Sequence, residues 1–247
     1  LGTIGVYGPD FPGAEESSFN WLPFPYVVYR GDMFSLGDEG AEFIPVATPR
    51  YELGISGGGA FSADSDSNAA REGMPDLDFL FELGPEIEIN GPTFADGLGT
   101  VKLFLQGRAV FATDWTSVDY VGWIIEPELK VERRGLRNGR LKLDATLAPQ
   151  YGDQGLNDYF YQVDPEFSRA GRPAYDAERG YMGTEVRAGF SYDLTNRVNV
   201  FGRAGLEVRY GAVNRDSPLF ERPLAGSVGL GLSVALYKSE REVRVRP

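Results

Sequence analysis

Glu82, Glu86, Glu88, Glu126, Glu128, Glu132, Asp144, Glu185 and Glu207 fall in segments where they alternate with mostly apolar residues, as do Lys102, Arg108, Lys130, Arg140, Lys142, Arg187, Arg203 and Arg209. Carboxylates held in pairs can act as general acid and base. The spacing qualifies that reading. Each residue falls at every second position of an extended segment, so the whole set projects from one face. Acidic and basic side chains on neighbouring strands attract one another. The pattern therefore predicts a face filled with cross-strand ion pairs, Glu128 with Lys142 for example. A selective polar pore is the competing functional reading of the same residues.

Other chemistry is limited by composition. The 247 residues include no histidine and no cysteine. Ser-His-Asp catalysis, histidine or cysteine metal ligation, thiol nucleophiles and disulfides are thereby removed. The net charge of −12 opposes binding to nucleic acid. DSDSN at 64–68 opens like a calcium loop, but Ala69 stands at the glycine position and Pro75 at the bidentate glutamate position. It predicts a flexible acidic loop. GISGGGAF at 54–61 lacks the Lys-Ser/Thr of a phosphate loop and predicts a strand bend or tight inward packing. No cofactor is implied and no catalytic residue stands out, so the chain is expected not to be an enzyme.

The elements that carry the charges are strands. In 124–149, Ile125, Pro127, Leu129 and Val131 alternate with Glu126, Glu128, Lys130 and Glu132. After a polar turn, Leu141, Leu143, Ala145 and Leu147 alternate with Arg140, Lys142, Asp144 and Thr146. Phe81, Leu83, Ile87 and Ile89, then Val101, Leu103, Leu105, Ala109 and Phe111, repeat the pattern. So do Val186, Ala188, Phe190 and Tyr192, and Val198, Val200, Ala204, Leu206, Val208 and Tyr210. Twelve strands are predicted: 1–8, 21–31, 32–37, 40–46, 49–62, 77–91, 98–112, 119–133, 139–152, 179–194, 197–211 and 222–237. No segment has a helical apolar stripe, and no run of 18 apolar residues provides a membrane helix. No secretory leader is recognisable at Leu1, so in an exported protein this numbering would start within the mature chain.

The connections sort by length. Long ones fall at 9–20, 63–76, 153–178 and 212–221, joined by 113–118. Short ones fall near 31–32, 47–49, 92–97, 134–138 and 195–196. With an even strand count all the long connections lie at one end, which is the pattern of an outer-membrane barrel with long extracellular loops and short periplasmic turns. A soluble sandwich or lipocalin-like barrel explains the alternation strand by strand but not the asymmetry of the loops. The expected fold is all-β: a single closed antiparallel transmembrane β-barrel of about 12 strands over 1–237, its apolar face against lipid and lipopolysaccharide. Tyr237 would be the terminal aromatic and 238–247 (KSEREVRVRP) a charged periplasmic tail. Trp21, Trp115 and Trp123 suit interfacial girdles or, alternatively, a core. Tyr159, Phe160, Tyr161, Phe167 and Tyr175 in 153–178 suit a ligand-binding lid or a loop folded over the barrel mouth.

Three stretches carry a family resemblance: GPDFPGAEESSFNWLPFPYVVYRGDMF at 8–34, YFYQVDPEFSRAGRPAYDAERGY at 159–181, and DSPLFE at 216–221. Together they resemble the MipA/OmpV, or MltA-interacting, family of Gram-negative outer membranes, in order and spacing along nearly the whole chain. The tail after GLGLSVALY departs from the usual terminal aromatic. The resemblance implies a non-enzymatic scaffold linking a lytic transglycosylase to a peptidoglycan synthase of the penicillin-binding class. An outer-membrane channel for small solutes is the alternative.

Overall fold

The computed structural model describes residues 1–24, 29–30, 34–37, 40–43, 46–48 and 50–236. Its strands are β1 (Gly2–Pro9), β2 (Ser17–Phe24), β3 (Tyr29–Arg30), β4 (Phe34–Gly37), β5 (Gly40–Phe43), β6 (Val46–Ala47) and β7 (Tyr51–Ala60). They continue with β8 (Phe79–Phe94), β9 (Gly99–Thr113), β10 (Val118–Leu136), β11 (Leu141–Gly152), β12 (Gly180–Asp193), β13 (Val198–Val208) and β14 (Leu224–Val234). One antiparallel sheet runs β2-β1-β14-β13-β12-β11-β10-β9-β8-β7-β6, and β3-β4-β5 form a second, three-stranded sheet. The first strand pairs with the last, Gly2 opposite Ser233 and Tyr7 opposite Val228. The long sheet curls until the loops at its two edges touch: the Asn68 amide donates to the Asp10 carboxylate at 3.3 Å, and the Ala69 N–H to Glu16 at 3.2 Å.

Most predicted strands appear where the alternation put them. Pairing in β2 begins at Ser17, within what was read as loop, and of the predicted segment 21–31 residues 25–28 and 31 lie outside the described residues. The predicted pair 32–37 and 40–46 corresponds to the short β4 and β5. Among the described residues the main sheet has eleven strands and is not joined into a ring. Tyr237 and the tail 238–247 lie outside the described residues.

The sidedness is the reverse of a water-soluble sheet. On β10, Glu126 is 4% exposed and Glu132 3%, while Ile125 is 58% and Leu129 44% exposed. The charged side faces in and the aliphatic side faces out. Aromatics stack across strands on that outer face. Phe81 and Phe111 lie opposite each other with ring centroids 5.2 Å apart, and Tyr120 meets Phe111 edge-on at 5.8 Å. Trp21, Trp115 and Trp123 are all exposed, which matches the girdle reading rather than the core one.

The ends differ as the loop lengths predict. The β8–β9 and β10–β11 turns are tight. Asp96 and Gly97, then Asn138 and Gly139, adopt left-handed conformations that these residue types accept readily. All the longer connections between described strands lie at the opposite end. One contains a helix that the sequence reading missed: α1 (Gln154–Tyr161), capped by the Asp153 carboxylate, which accepts from Leu156 N–H. Only eight residues long, α1 has too few turns to show a periodic stripe. It lies on bare backbone, and a Cβ on Gly155 would come within 2.2 Å of the Val121 carbonyl.

Close packing also fixes the strand interior. A Cβ on Gly84 would stand 2.0 Å from the Gly107 carbonyl, whereas one on Gly107 would meet nothing within 4 Å. Gly84→Ala is therefore expected to destabilise the sheet by about 1–3 kcal/mol, as overpacking does, with Gly107→Ala near neutral. Thermal unfolding followed by the β-sheet circular dichroism band measures both, and equal effects would refute the packing argument.

Candidate functional site

The three sequence stretches that carry the family resemblance meet at one place. Gly13 from the first lies against Phe220 from the third, with φ +91° and no room for a Cβ beside that ring. The Glu221 and Arg222 N–H groups both donate to the Gly13 carbonyl at 2.9 Å. Ser217 donates its hydroxyl to the Tyr161 carbonyl at 2.8 Å, which ties the third stretch to the second. Phe11, Leu156, Phe160, Tyr161, Val163 and Leu219 are buried in one cluster, continuous with Leu80, Val110, Ala112 and Ile124 at the ends of the strands. The long connections thus build a small soluble-type core, called the plug below, at the long-loop end of the sheet. Residues 153–178 pack on themselves and against the other long connections, as a packed loop would and a free lid would not.

Polar groups hold the plug together. Asn214, buried, donates to the Asn157 side-chain oxygen at 2.7 Å and to the Glu178 carbonyl at 2.8 Å. Its own oxygen accepts from the Glu178 N–H at 2.8 Å. Arg172 reaches from the 153–179 connection to the carbonyls of Ala70 and Glu72 at 2.8 and 3.0 Å, and also to Phe167. Arg71 is 4% exposed, donates to Ser65 and to the Pro75 carbonyl, and sits 5.6 Å over the Phe11 ring. Burial lowers its pKa to about 10, which leaves it charged at neutral pH. Burial likewise pushes the Tyr161 hydroxyl up to about 12. The DSDSN stretch belongs to this plug. Asp64 caps a short 3-10 turn at Ser65–Ser67, and Ser65 and Asn68 are buried, so the expectation of a flexible acidic loop is corrected. Among the described residues no group of acids is arranged to hold a metal ion.

Below the plug the predicted charges gather on the inner face. Arg108 lies 2.7 Å from Glu82 and 3.5 Å from Glu126. Arg187 reaches Glu128 at 2.7 Å, Glu185 at 3.3 Å and Glu126 at 3.6 Å. Gln150 donates to Glu126 and Glu185 at 2.8 and 3.2 Å. Lys102 pairs with Glu88 at 2.5 Å, Lys142 with Glu132 at 2.7 Å and Arg209 with Glu207 at 2.9 Å. Lys130 stands over the Phe104 ring at 5.9 Å. The suggested pairing of Glu128 with Lys142 is replaced by Glu128–Arg187 and Glu132–Lys142. Glu86 faces Gln106 across the β8–β9 ladder, and Asp144 faces Glu132. Arg140 is exposed in the β10–β11 turn and makes no ion pair among the described residues.

Gly58 confirms the tight inward packing predicted for 54–61, since a Cβ there would meet the Glu82 carboxylate at 2.8 Å. Opposite the charged strands the inner wall is small. Ala225, Ser227, Gly229, Gly231 and Ser233 alternate with outward Leu224, Val228, Leu230 and Leu232 on β14. Arg203 stands beside this wall with Gly189 and Gly229 as its neighbours, exposed and without an ion pair among the described residues. The residues missing from the sequence reading are those of the plug: Arg71, Asn157, Arg172, Asn214 and Ser217. Their partners are 36 to 102 residues away in several cases, and no local spacing signals them.

Comparison with known proteins follows the same lines. No curated protein matches the sequence. Among solved structures the NanC porin aligns at 9% identity over 96% of this chain and 100% of its own, with a TM-score of 0.44. Outer membrane phospholipase A of Escherichia coli aligns at 11% identity over 95% of this chain and 91% of its own, with a TM-score of 0.36. At such identities and scores these likenesses say nothing of what this chain does. The family profile described as MltA-interacting protein MipA matches residues 1–235, and the chain belongs to that family.

Proposed function

We propose that the chain is a closed outer-membrane β-barrel of a Gram-negative bacterium, plugged at its outer mouth, that serves as a non-enzymatic scaffold for cell-wall enzymes. A lytic transglycosylase and a penicillin-binding synthase are its proposed partners, in keeping with the family description. The observation that carries the reading is the buried plug above an ion-paired inner face, since both oppose free passage of solute. The inverted polarity supports the membrane setting. An outer face of Leu105, Ile125, Leu129 and Val131 is costly in water and favourable in lipid. Lipid demands a closed ring, and β3, β4 and β5 fall in the chain between the two edges of the main sheet, where further strands would close it. A second reading, a small-solute channel, is favoured by Arg203 and the small-residue wall of β14.

Three outcomes test this. Leu105→Arg and Leu129→Arg place a charge in the hydrocarbon, at about 2–4 kcal/mol near the bilayer midplane, and should abolish heat-modifiable assembly. Normal assembly of both would remove the protein from the membrane. In planar bilayers the intact protein should conduct weakly, and the pair Asn157→Leu with Asn214→Leu should raise conductance by loosening the plug. A large, solute-selective conductance of the unaltered chain would favour the channel instead. Finally, the detergent-solubilised protein should capture a purified lytic transglycosylase. Absence of capture at low salt, with the barrel folded, would remove the scaffold role.

A further inference from the structure

Charge is divided between the two ends of the sheet. The long-loop end is rich in carboxylates, whereas the described turn end carries Arg50, Arg133, Arg134, Arg137, Arg140 and Arg197 against Asp96 and Asp193. Four of these arginines lie within eight residues of the β10–β11 hairpin, in a chain of net charge −12. Two turns are locked together there. Arg134 N–H donates to the Leu98 carbonyl at 2.7 Å, and the Arg133 guanidinium to the Ala95 carbonyl at 3.1 Å. Gly135, at φ +76°, lies under the Leu98 side chain.

The arginines differ in how they are neutralised. Arg134 pairs with Glu132, which Lys142 also holds. Arg133 has a carbonyl for its partner, and Arg137 and Arg140 make no side-chain bond among the described residues. Asp193 accepts from the Asn199 amide at 3.0 Å. Arg133 also has a direction. It lies opposite Leu143 and follows Val131 in the outward series, so it extends from the outer, aliphatic face. Exposed Phe94 and Leu98 stand beside it. An apolar surface bordered by the arginines of one hairpin would have acyl chains on one side and water on the other.

We propose that this corner, built on Arg133, Arg137 and Arg140, binds the phosphate of an anionic phospholipid headgroup in the leaflet at the turn end. Guanidinium groups recognise phosphate oxygens in a planar, two-pronged manner, and Phe94 and Leu98 would lie along the acyl chains. An acidic protein or a free anion would satisfy the charge but would leave the outward direction of Arg133 beside the apolar face without a purpose. The proposal rests on the barrel reading above.

The test uses the full chain in nanodiscs of phosphatidylcholine with a minor share of phosphatidylglycerol. Lipid retained by the protein after partial delipidation is read by native mass spectrometry. The unaltered protein should retain phosphatidylglycerol in preference. The variant R133Q/R137Q/R140Q should lose the preference, by about fivefold for each arginine if each contributes as a basic residue near an anionic surface does. Its heat-modifiable migration should be unchanged. Arg137→Gln alone, which breaks no contact, should give a partial loss, so the result does not depend on the triple variant folding. Arg215→Gln at the other end should change nothing. An equal lipid ratio in all variants would overturn the proposal. So would displacement of the lipid by millimolar inorganic phosphate, which marks a free-anion site. A chain that fails to enter the discs at all overturns the barrel reading as well, whereas insertion without preference overturns the headgroup site alone.

Discussion

Burying a charged side chain is costly unless it meets an opposite charge and further hydrogen bonds, and this constraint organises the inner face. Arg187 is held among Glu126, Glu128 and Glu185, and Arg108 between Glu82 and Glu126. Glu126 forms ion pairs with both arginines and accepts a hydrogen bond from Gln150. Because these partners stand on β8 to β12, any slip of one strand by one residue would send its carboxylates to the aliphatic outer face and leave the arginines buried without partners. The register of five strands is thus tied to a single connected set of charges. Ion pairs of this kind contribute less to net stability than their number suggests. Their contribution here is to make the alternative registers expensive.

The plug obeys the opposite rule. Its core is apolar, with Tyr161, Val163 and Leu219 almost wholly shielded from solvent, and several of its polar side chains bond backbone carbonyls of distant connections. Asn214 and Arg172 each satisfy backbone groups that the irregular loops leave unpaired. One chain therefore carries a charged interior where it is expected to span lipid and a hydrophobic interior where it meets water. The change of rule falls at Leu80, Val110 and Ile124, immediately beyond the charged positions Glu82, Arg108 and Glu126 on the same strands.

That arrangement also gives the molecule a polar axis. The acidic long connections are closed upon themselves. The basic turn end is made of tight hairpins, on which Arg137 and Arg140 are exposed. Short turns of this kind present fixed side chains at little entropic cost on binding.

Much of this was legible in the sequence, since a period of two needs only neighbouring residues. Ile125 to Val131 against Glu126 to Glu132 already assigned the strands, their faces and the inward charges, and the connection lengths assigned the two ends. The stretches 8–34, 159–181 and 216–221 could be matched to a family without any indication that they touch. What only the tertiary structure decided was pairing. Arg187 takes three carboxylates, Lys142 takes Glu132 rather than Glu128, Arg140 turns out into solvent, and DSDSN becomes part of a buried core. The physical reason is range. Alternation is set by the geometry of one strand, whereas an ion pair or a plug contact depends on the stagger between strands and on loops that meet only after the sheet has curled.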